Sequence, residues 1–359
     1  ASASPIGSDA VDFQRIGACA RILTAPVLQI DKTGFGPCRI RRAYMESRKA
    51  CQQRPGACVQ GVAKAKSPYT SCRHYTGPIV MQTILFCRFS YPAIGGFQVD
   101  HETVEARRAF LYAPNRMEQR FALFEHFCLP GLKAQTDPDF ELVVLVGTCL
   151  PDPYLAQLQG ILGGFPQARI IARDPAPHRQ ICQAVLNAAR RHINQPCLQV
   201  RHDDDDALAV DFVARLRKAA TECEALVLGN KLVGFDWNRG YTLCASDIHP
   251  FEMTETVTPY LGVAQAMAVQ GGVRQSQMNF AHSRINRFMP TLTFTDPPMF
   301  LRAHHAHNDS RQKPGVSTPD FHAPTVEHIE MLNRRFALTA DAVELAFSPV
   351  ASDAPRATG

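Results

Sequence analysis

The sequence has 359 residues, of which 45% are hydrophobic and 20% are charged, a composition typical of a globular protein with a sizeable core. No apolar run reaches the length of about 18 residues that a membrane-spanning helix needs. The net charge of +5 hides an asymmetry, because residues 1–80 carry 12 Lys and Arg against 4 Asp and Glu, whereas the remainder is slightly acidic. We therefore expect no nucleic-acid partner for the main body.

Residues 1–80 show no period of 2 or 3.6 and no secretory signal. We expect them to be either foreign to the natural protein or a basic, disordered arm that contacts a partner or a membrane surface. They hold five of the 12 cysteines, and the chain has no Cys-x-x-Cys pair. We therefore expect a reducing compartment and a cytoplasmic protein. If residues 1–80 bind a membrane surface, the protein associates peripherally with the inner face of the membrane. Residues 347–359 are predicted to be a disordered tail.

Strands and helices alternate from Met81 onward. Apolar strands are predicted at Thr83–Phe89, Glu141–Gly147, Ala168–Ala172 and Cys197–His202. Amphipathic helices are predicted between them, at Arg116–Ala134 with a kink at Pro130, from Asp152, and at His178–His192. This alternation predicts an α/β fold with a mainly parallel sheet flanked by helices, residues 81–222 forming a nucleotide-binding half.

Four consecutive acids, Asp203 to Asp206, follow the predicted strand at Cys197–His202. Neighbouring carboxylates repel one another unless a cation or hydrogen-bond donors neutralise them, and ligands of open α/β sheets bind beyond the carboxyl ends of strands. A helix is predicted from Ala207, with Asp206 as its N-cap. The alternative is a solvated acidic turn, but the flanking strand and helix favour a divalent metal site.

The pattern changes in residues 223–346. The segments Ala225–Gly234 and Tyr241–Ala245, on either side of Trp237, predict a β-hairpin, and later segments are irregular. Irregular segments often form binding loops, so we expect this half to form loops over the site of the scaffold.

Several segments together resemble a known family. They are Arg120–Pro130, Gln135–Glu141, the acidic corner at Asp203–Leu208, Phe280–His282 and Arg302–Ser310. Over about residues 81–335 the chain resembles GT-A glycosyltransferases, and among them bacterial rhamnosyltransferases related to the large inverting family. The resemblance implies a GT-A-like (nucleotide-diphospho-sugar transferase) fold with an Asp-x-Asp motif. It also implies that residues 223–346 form the acceptor side, where Trp237 either stacks on an acceptor sugar or packs in the core.

The resemblance also implies roles for single residues. Mn²⁺ or Mg²⁺ would be held by Asp203, Asp205, Asp206 and a late histidine, His305 in preference to His304 or His307. Asp203, Asp204 and Arg302 would contact the nucleoside-diphosphate sugar. The register within the four acids stays open, as does the nucleotide base, because Leu145–Thr148 lacks the acids that many relatives carry there.

Inverting transfer needs a carboxylate base for the acceptor hydroxyl. Asp247, Glu252, Glu255 and Asp296 are candidates, and Asp296 is preferred because the base of related enzymes lies some way after the metal motif. His282 is either structural or functional.

The predicted function is metal-dependent transfer of a sugar with inversion to a saccharide or glycolipid acceptor in cell-envelope polysaccharide synthesis. The resemblance implies rhamnose as the sugar, from a dTDP or UDP donor. One alternative is a metal-dependent phosphohydrolase, which would need histidines close behind the early strands. Another is a non-catalytic Ca²⁺-binding or interaction protein, which would need an Asp-x-Asp-x-Asp-Gly loop.

Overall fold

The computed structural model describes residues 81–96, 101–305 and 320–348, which all belong to one compact unit. The predictions for residues 1–80, for His307 and for the tail beyond Ser348 lie outside the described residues.

The described strands, in chain order, are β1 (Gln82–Arg88), β2 (Glu141–Gly147), β3 (Ala168–Arg173), β4 (Cys197–His202), β5 (Asp206–Leu208), β6 (Leu232–Trp237), β7 (Arg239–Cys244), β8 (Glu252–Val257), β9 (Gln265–Val269), β10 (Thr291–Phe294) and β11 (Phe300–His304).

The described α-helices are α1 (Val104–Leu111), α2 (Pro114–Leu123), α3 (Leu129–Lys133), α4 (Asp152–Leu162), α5 (His178–Ala189), α6 (Phe212–Glu222), α7 (Glu224–Gly229), α8 (Val326–Phe336) and α9 (Ala340–Phe347). A π-helical turn, Phe124–Cys128, joins α2 to α3, and short 3₁₀ helices span Gln277–Asn279 and His282–Arg287. Within the described ranges, every helix is too short or too polar to cross a bilayer.

The strands form two sheets. A seven-stranded sheet has the order β10-β6-β9-β4-β1-β2-β3, and a four-stranded sheet has the order β5-β11-β7-β8. In the larger sheet, β1 runs parallel to β2 and β4, and only β9 runs against its neighbours. The predicted mixed α/β architecture with a mainly parallel sheet is therefore confirmed.

The larger sheet is buried on both faces. Alternate residues of β1 point to opposite sides, so Leu85 and Cys87 join one apolar cluster while Ile84 and Phe86 join another against α5. This burial explains why β2 reads as an unbroken apolar run, since a strand covered on both sides has no polar face. The seven cysteines within the described ranges form no disulfide, and four of them are buried.

The predicted helix at Arg116–Ala134 is divided. Helix α2 ends at Leu123, the π-helical turn follows, and α3 begins one residue before Pro130. The irregularity thus starts earlier than the predicted kink, because the π-helical turn, closed by the hydrogen bond from the Leu129 N–H to the Phe124 carbonyl, directly precedes Pro130.

The prediction of a helix from Ala207 is wrong. Asp206–Leu208 form β5, which pairs antiparallel with β11, and α6 begins at Phe212 after Asp211. A three-residue strand is too short to show a period. The apolar spacing of α6 therefore predicts a helix that also includes the residues of β5.

The predicted hairpin is also wrong. Strands β6 and β7 are separated by Asn238 alone, yet β6 belongs to the large sheet and β7 to the small one. Their hydrogen bonds go to different partners, β9 and β10 for the first and β8 and β11 for the second. Part of the segment predicted as the first hairpin strand forms α7 instead.

Candidate functional site

Four aspartates lie where several parallel strands of the large sheet end. Strand β4 ends at His202, directly before Asp203, and its neighbour β1 ends at Arg88. Because parallel strands end at the same edge, β1 and β4 bring Arg88, Arg201 and the acids together. The sequence-based placement of the acids at this edge agrees with the structure.

A cavity of about 380 Å³ opens at this edge. Its charged lining consists of five arginines and four aspartates, namely Arg88, Arg116, Arg120, Arg201, Arg302, Asp203, Asp204, Asp205 and Asp206. The segment Leu261–Val263 and His282 complete much of the remaining wall. Such a cavity suits a polar, negatively charged ligand that needs several guanidinium donors.

Two arginines hold Asp203. Arg201 donates from Nη2 to Asp203 Oδ2 at 2.7 Å, and Arg88 donates from Nη2 to Oδ1 at 3.3 Å. Burial alone would raise the pKa of Asp203, but these guanidinium groups hold that pKa well below its usual range. Asp203 is therefore ionised at neutral pH.

Asp205 has a similar environment with other partners. Arg120 donates from Nη1 to Asp205 Oδ2 at 2.7 Å, and Nε2 of His305 lies 3.0 Å from the same oxygen. Against the effect of burial, Arg120 and His305 lower the pKa of Asp205. The predicted association of His305 with the acidic corner is thus present as a direct contact.

The other two acids behave differently. Asp204 is 2% exposed, and burial raises its pKa to about 6 even though Arg120 Nη2 lies 3.2 Å from Oδ1. Burial and the charge of Asp205 also raise the pKa of Asp206 well above its ordinary value. The corner is therefore buried and arginine-bound, and the alternative of a solvated turn is wrong.

The predicted donor residues meet at this cavity, but the predicted base does not. Asp203, Asp204 and Arg302 all line the cavity. Asp296 is absent from the described lining, and its carboxylate forms an ion pair with Arg239, which also binds Glu255 at 2.6 Å. The ring of His304 packs at a tilt against Phe321, with ring centroids 5.2 Å apart.

Sequence reasoning missed most of the arginines. Arg116 and Arg120 lie one helical turn apart on α2 and so share a face, a spacing visible in the sequence. Arg88 and Arg201 lie at or next to the ends of two predicted strands, a position that could have placed them beside the acids. What the sequence did not show is that α2 packs against this edge.

A divalent cation implied by the resemblance can be tested against the donor set. Oδ2 of Asp204 is buried without a hydrogen-bond partner, and four carboxylates line one cavity, which suits a hard cation such as Mg²⁺ or Mn²⁺. Among the described residues, no three His, Cys, Asp or Glu side chains already converge on one point. The donors fit the cation in chemical type, and the arginines now occupy several of their oxygens.

Comparison with known proteins identifies the family. The family described as "Putative rhamnosyl transferase" matches residues 82–317, about two thirds of the chain. The chain belongs to this family. The match covers strand β1 with Arg88, the acidic corner and Arg302. The cavity of this rhamnosyl transferase family member therefore lies within the matched region. Among curated proteins, no sequence match was found.

Solved structures with some likeness are distant. The S. aureus TarS fragment 1–349 is 10% identical, with 62% of this chain and 60% of that chain covered and a TM-score of 0.35. The same fragment in complex with UDP-GlcNAc is 10% identical over 64% and 60%, with a TM-score of 0.33. A Bacillus anthracis putative glucose-1-phosphate thymidylyltransferase in complex with sucrose is 9% identical over 60% and 87%, with a TM-score of 0.29. This chain therefore spans about 60% of the length of the TarS fragment.

Proposed function

We propose that this protein is a glycosyltransferase that moves a sugar, rhamnose in the first instance, from a nucleoside-diphosphate donor to a saccharide or glycolipid acceptor with inversion. The observation that carries the proposal is the cavity lined by four aspartates and five arginines at the carboxyl edge of the sheet, in a member of the rhamnosyl transferase family.

The charge of the cavity supports a diphosphate ligand. Five guanidinium groups outnumber four carboxylates, and two of those carboxylates have raised pKa values, so the lining is net positive at neutral pH. A guanidinium presents a planar fork of donors that matches two phosphate oxygens. Arg302, on β11, would bind the diphosphate, and Asp203 and Asp204 would contact the donor or its cation.

A metal ion is part of the proposal. Asp203, Asp205, Asp206 and His305 would hold Mn²⁺ or Mg²⁺. When bound, such an ion supplies Lewis-acid stabilisation of the departing diphosphate. The residues of this chain do the rest: the arginines orient the phosphates, and the buried Asp206, whose pKa is raised well above its ordinary value, keeps negative charge low until a cation arrives.

The cellular setting is proposed from the nature of the donor. A nucleotide sugar is made inside cells, so we place the reaction in the cytoplasm, at the inner face of the membrane when the acceptor is a glycolipid. Cell-envelope polysaccharide synthesis is the process that such a transfer would serve.

Calorimetric titration tests the donor class. UDP, dTDP and GDP are titrated into the full chain with Mn²⁺, with Mg²⁺ and with EDTA, alongside an Asp205→Asn variant. We expect one nucleotide to bind in the presence of metal and to bind at least ten-fold more weakly in EDTA. Failure of all three nucleotides to bind the wild type would overturn the proposal, and nucleotide-independent hydrolysis of p-nitrophenyl phosphate would favour a phosphohydrolase.

Transfer itself needs a second assay. Release of the nucleoside diphosphate from dTDP-rhamnose and from UDP-hexoses is followed with and without simple saccharide acceptors. We expect release to rise when an acceptor is added, and the anomeric configuration of the product, read by NMR, to be opposite to that of the donor.

A further inference from the structure

His282 is an imidazole that the proposed donor site does not use. It begins the 3₁₀ helix His282–Arg287, far along the chain from the acids, and it lines the same cavity as they do. Of the described residues that line this cavity, it is the one histidine.

A backbone carbonyl defines the tautomer of His282. Its Nδ1 atom lies 2.9 Å from the carbonyl oxygen of Tyr260. A carbonyl oxygen only accepts hydrogen bonds, so Nδ1 carries the hydrogen. In the neutral ring, Nε2 is then the unprotonated nitrogen with a lone pair. This is the arrangement that a general base needs.

The surrounding backbone is shaped to hold the ring. Gly262 has φ +98°, and a Cβ atom added there would lie 2.9 Å from Cγ of His282. Only glycine adopts this conformation without strain and leaves room for the imidazole. Tyr260, with φ +59°, is also left-handed, which turns its carbonyl group in this tight segment.

A buried carboxylate holds Tyr260 in turn. The backbone N–H of Tyr260 donates to Oδ2 of Asp236 at 3.1 Å and to Oδ1 at 3.2 Å. Gln265 donates from Nε2 to the carbonyl oxygen of His282 at 3.3 Å. Asp236 is fully buried at the end of β6. Asp236 therefore positions His282 through the backbone of one residue, Tyr260.

Charge and burial keep His282 neutral. Burial lowers its pKa, the nearby Arg201 and Arg302 lower it further, and the Tyr260 carbonyl and Asp203 act in the opposite direction. Burial in turn raises the pKa of Asp236 to about 6. The hydrogen bonds that Asp236 accepts from the Tyr260 N–H and from Nε2 of Gln265 partly oppose this rise. At pH 7 the imidazole is therefore free to accept a proton.

Other imidazoles near the cavity have their Nε2 atoms engaged. Nη1 of Arg88 lies 3.0 Å from Nε2 of His178, and because a guanidinium only donates, that lone pair is occupied. His305 directs Nε2 at Asp205. Of these three rings, His282 is the one that lines the cavity, and its Nδ1 is bound to the backbone, which leaves Nε2 with its lone pair.

We propose that His282 is the general base of the transfer and that Asp236 is its positioning residue. This assignment rests on the proposed function. Nε2 of His282 takes the proton of the acceptor hydroxyl as that oxygen bonds to the anomeric carbon. The bond from that carbon to the diphosphate oxygen breaks, and the nucleoside diphosphate leaves with the electron pair. Asp296, which the sequence favoured, is then not the base.

The decisive variant is His282→Asn. The asparagine amide retains an N–H donor near the position of Nδ1, so it can still bind the Tyr260 carbonyl, but it has no basic nitrogen. We expect the turnover of dTDP-rhamnose, or of whichever nucleotide sugar the wild type uses, to fall about 10²–10⁴-fold. The affinity for UDP or dTDP should stay within about two-fold, and the thermal midpoint should hardly move. His249→Asn, at an exposed histidine outside the cavity, is the matched control.

The pH profile separates a base from a structural residue. For the wild type we expect turnover to rise with pH through a pKa below that of an ordinary histidine and then to level off. Arg201, Asp203 and Arg302 are the charged groups that shift this pKa, and Asp236 lies behind Tyr260, whose carbonyl binds the ring. Asp236→Asn should move the midpoint of the rise, and His282→Asn should abolish the rise.

Three results would overturn the assignment. Retained turnover in His282→Asn with normal nucleotide binding would overturn it and leave the glycosyltransferase proposal standing. A larger loss in Asp296→Asn than in His282→Asn would return the role to Asp296. A wild type that neither binds UDP, dTDP or GDP nor turns over a nucleotide sugar would overturn the proposed function, and this assignment with it.

Discussion

Arg120 donates from Nη1 to Oδ2 of Asp205 at 2.7 Å, although the two residues are 85 positions apart in the chain. The same guanidinium lies 3.2 Å from Asp204, so one cation is shared by two neighbouring carboxylates. The side chains of Arg120 and Asp205 are only 11% and 16% exposed. Removing the cation would leave two buried charges uncompensated, and such a loss is far more costly than the net value of the pair.

We therefore expect Arg120→Met to lower the free energy of unfolding at pH 7 by about 3–5 kcal/mol. Urea denaturation measures this change, with Arg334→Met on the exposed part of α8 as a control that should cost little. The pair lowers the pKa of Asp205, so its stabilisation is complete above the carboxyl pKa of the unfolded chain and is lost as pH falls through the folded value. A difference between wild type and variant that stays constant down to pH 2 would contradict this account.

The buried carboxylate of Asp204 should destabilise the folded protein. Burial raises its pKa to about 6, compared with about 4 in an unfolded chain, a difference equivalent to about 3 kcal/mol above pH 6. We expect Asp204→Asn to raise the free energy of unfolding at pH 7 by about 1–3 kcal/mol and to reduce sugar transfer at least ten-fold.

The gain from Asp204→Asn should depend on pH in a defined way. The folded protein binds a proton at Asp204 more tightly than the unfolded chain does, so the gain develops between about pH 4 and pH 6 and vanishes below that window. Asp247→Asn, at an exposed aspartate, should show no such window. A stability gain that is equal at pH 3 and pH 7 would point to packing instead of charge.

The parts of this fold that were predictable are those that depend on local pattern. Strand β4 was predicted to the residue because Cys197, Leu198 and Val200 lie shortly before four consecutive acids, which mark its end. Strand β5 was missed because three residues carry no period and its pairing with β11 joins segments almost 100 residues apart. Strand β6 pairs with β9 and β10 of the large sheet, and β7 pairs with β8 and β11 of the small one, so the local alternation on either side of Trp237 suggested a hairpin between β6 and β7 that does not exist.

The same division holds for the candidate site. The acids were found because their mutual repulsion is visible in the sequence itself. Their arginine partners come from β1, α2 and β4, and His282 reaches the cavity only because Tyr260 and Gly262 adopt positive φ values. Backbone conformation of that kind is a consequence of the assembled fold, so no single stretch of sequence reports it.

Trp237 should act as a probe of the core and not of sugar binding. It is 3% exposed and packs between Phe294, with ring centroids 5.0 Å apart, and Phe212, with centroids 5.3 Å apart. It is the only tryptophan in the sequence, so its fluorescence should shift to longer wavelength on unfolding and stay unchanged when acceptor saccharides are added.

Substitution of Trp237 measures how much the side chain contributes to the free energy of unfolding. We expect Trp237→Ala to cost about 3–5 kcal/mol, because a large cavity is left between two aromatic rings, and Trp237→Phe to cost less than half as much. Thermal and urea unfolding followed by circular dichroism measure both variants. Saccharide-dependent quenching of the wild-type fluorescence would instead indicate an acceptor contact.

Arg302 offers the most direct test of diphosphate recognition. It lies on β11 opposite Asp206 of β5, and it lines the cavity with the four acids. A lysine keeps the charge but loses the planar fork, so it can no longer bind two phosphate oxygens in parallel. We expect Arg302→Lys to weaken UDP or dTDP binding about ten-fold, equivalent to about 1.4 kcal/mol, with the thermal midpoint nearly unchanged.

Salt and a matched variant make the Arg302 experiment specific. Arg334→Lys makes the same chemical change at an exposed position outside the cavity and should leave nucleotide affinity as it is. If Arg302 acts as a fork and not merely as a charge, the ten-fold loss should persist as salt is raised, because lysine and arginine carry the same charge. Equal affinity of wild type and Arg302→Lys at every salt concentration would show that the planar fork of Arg302 is not what binds the diphosphate.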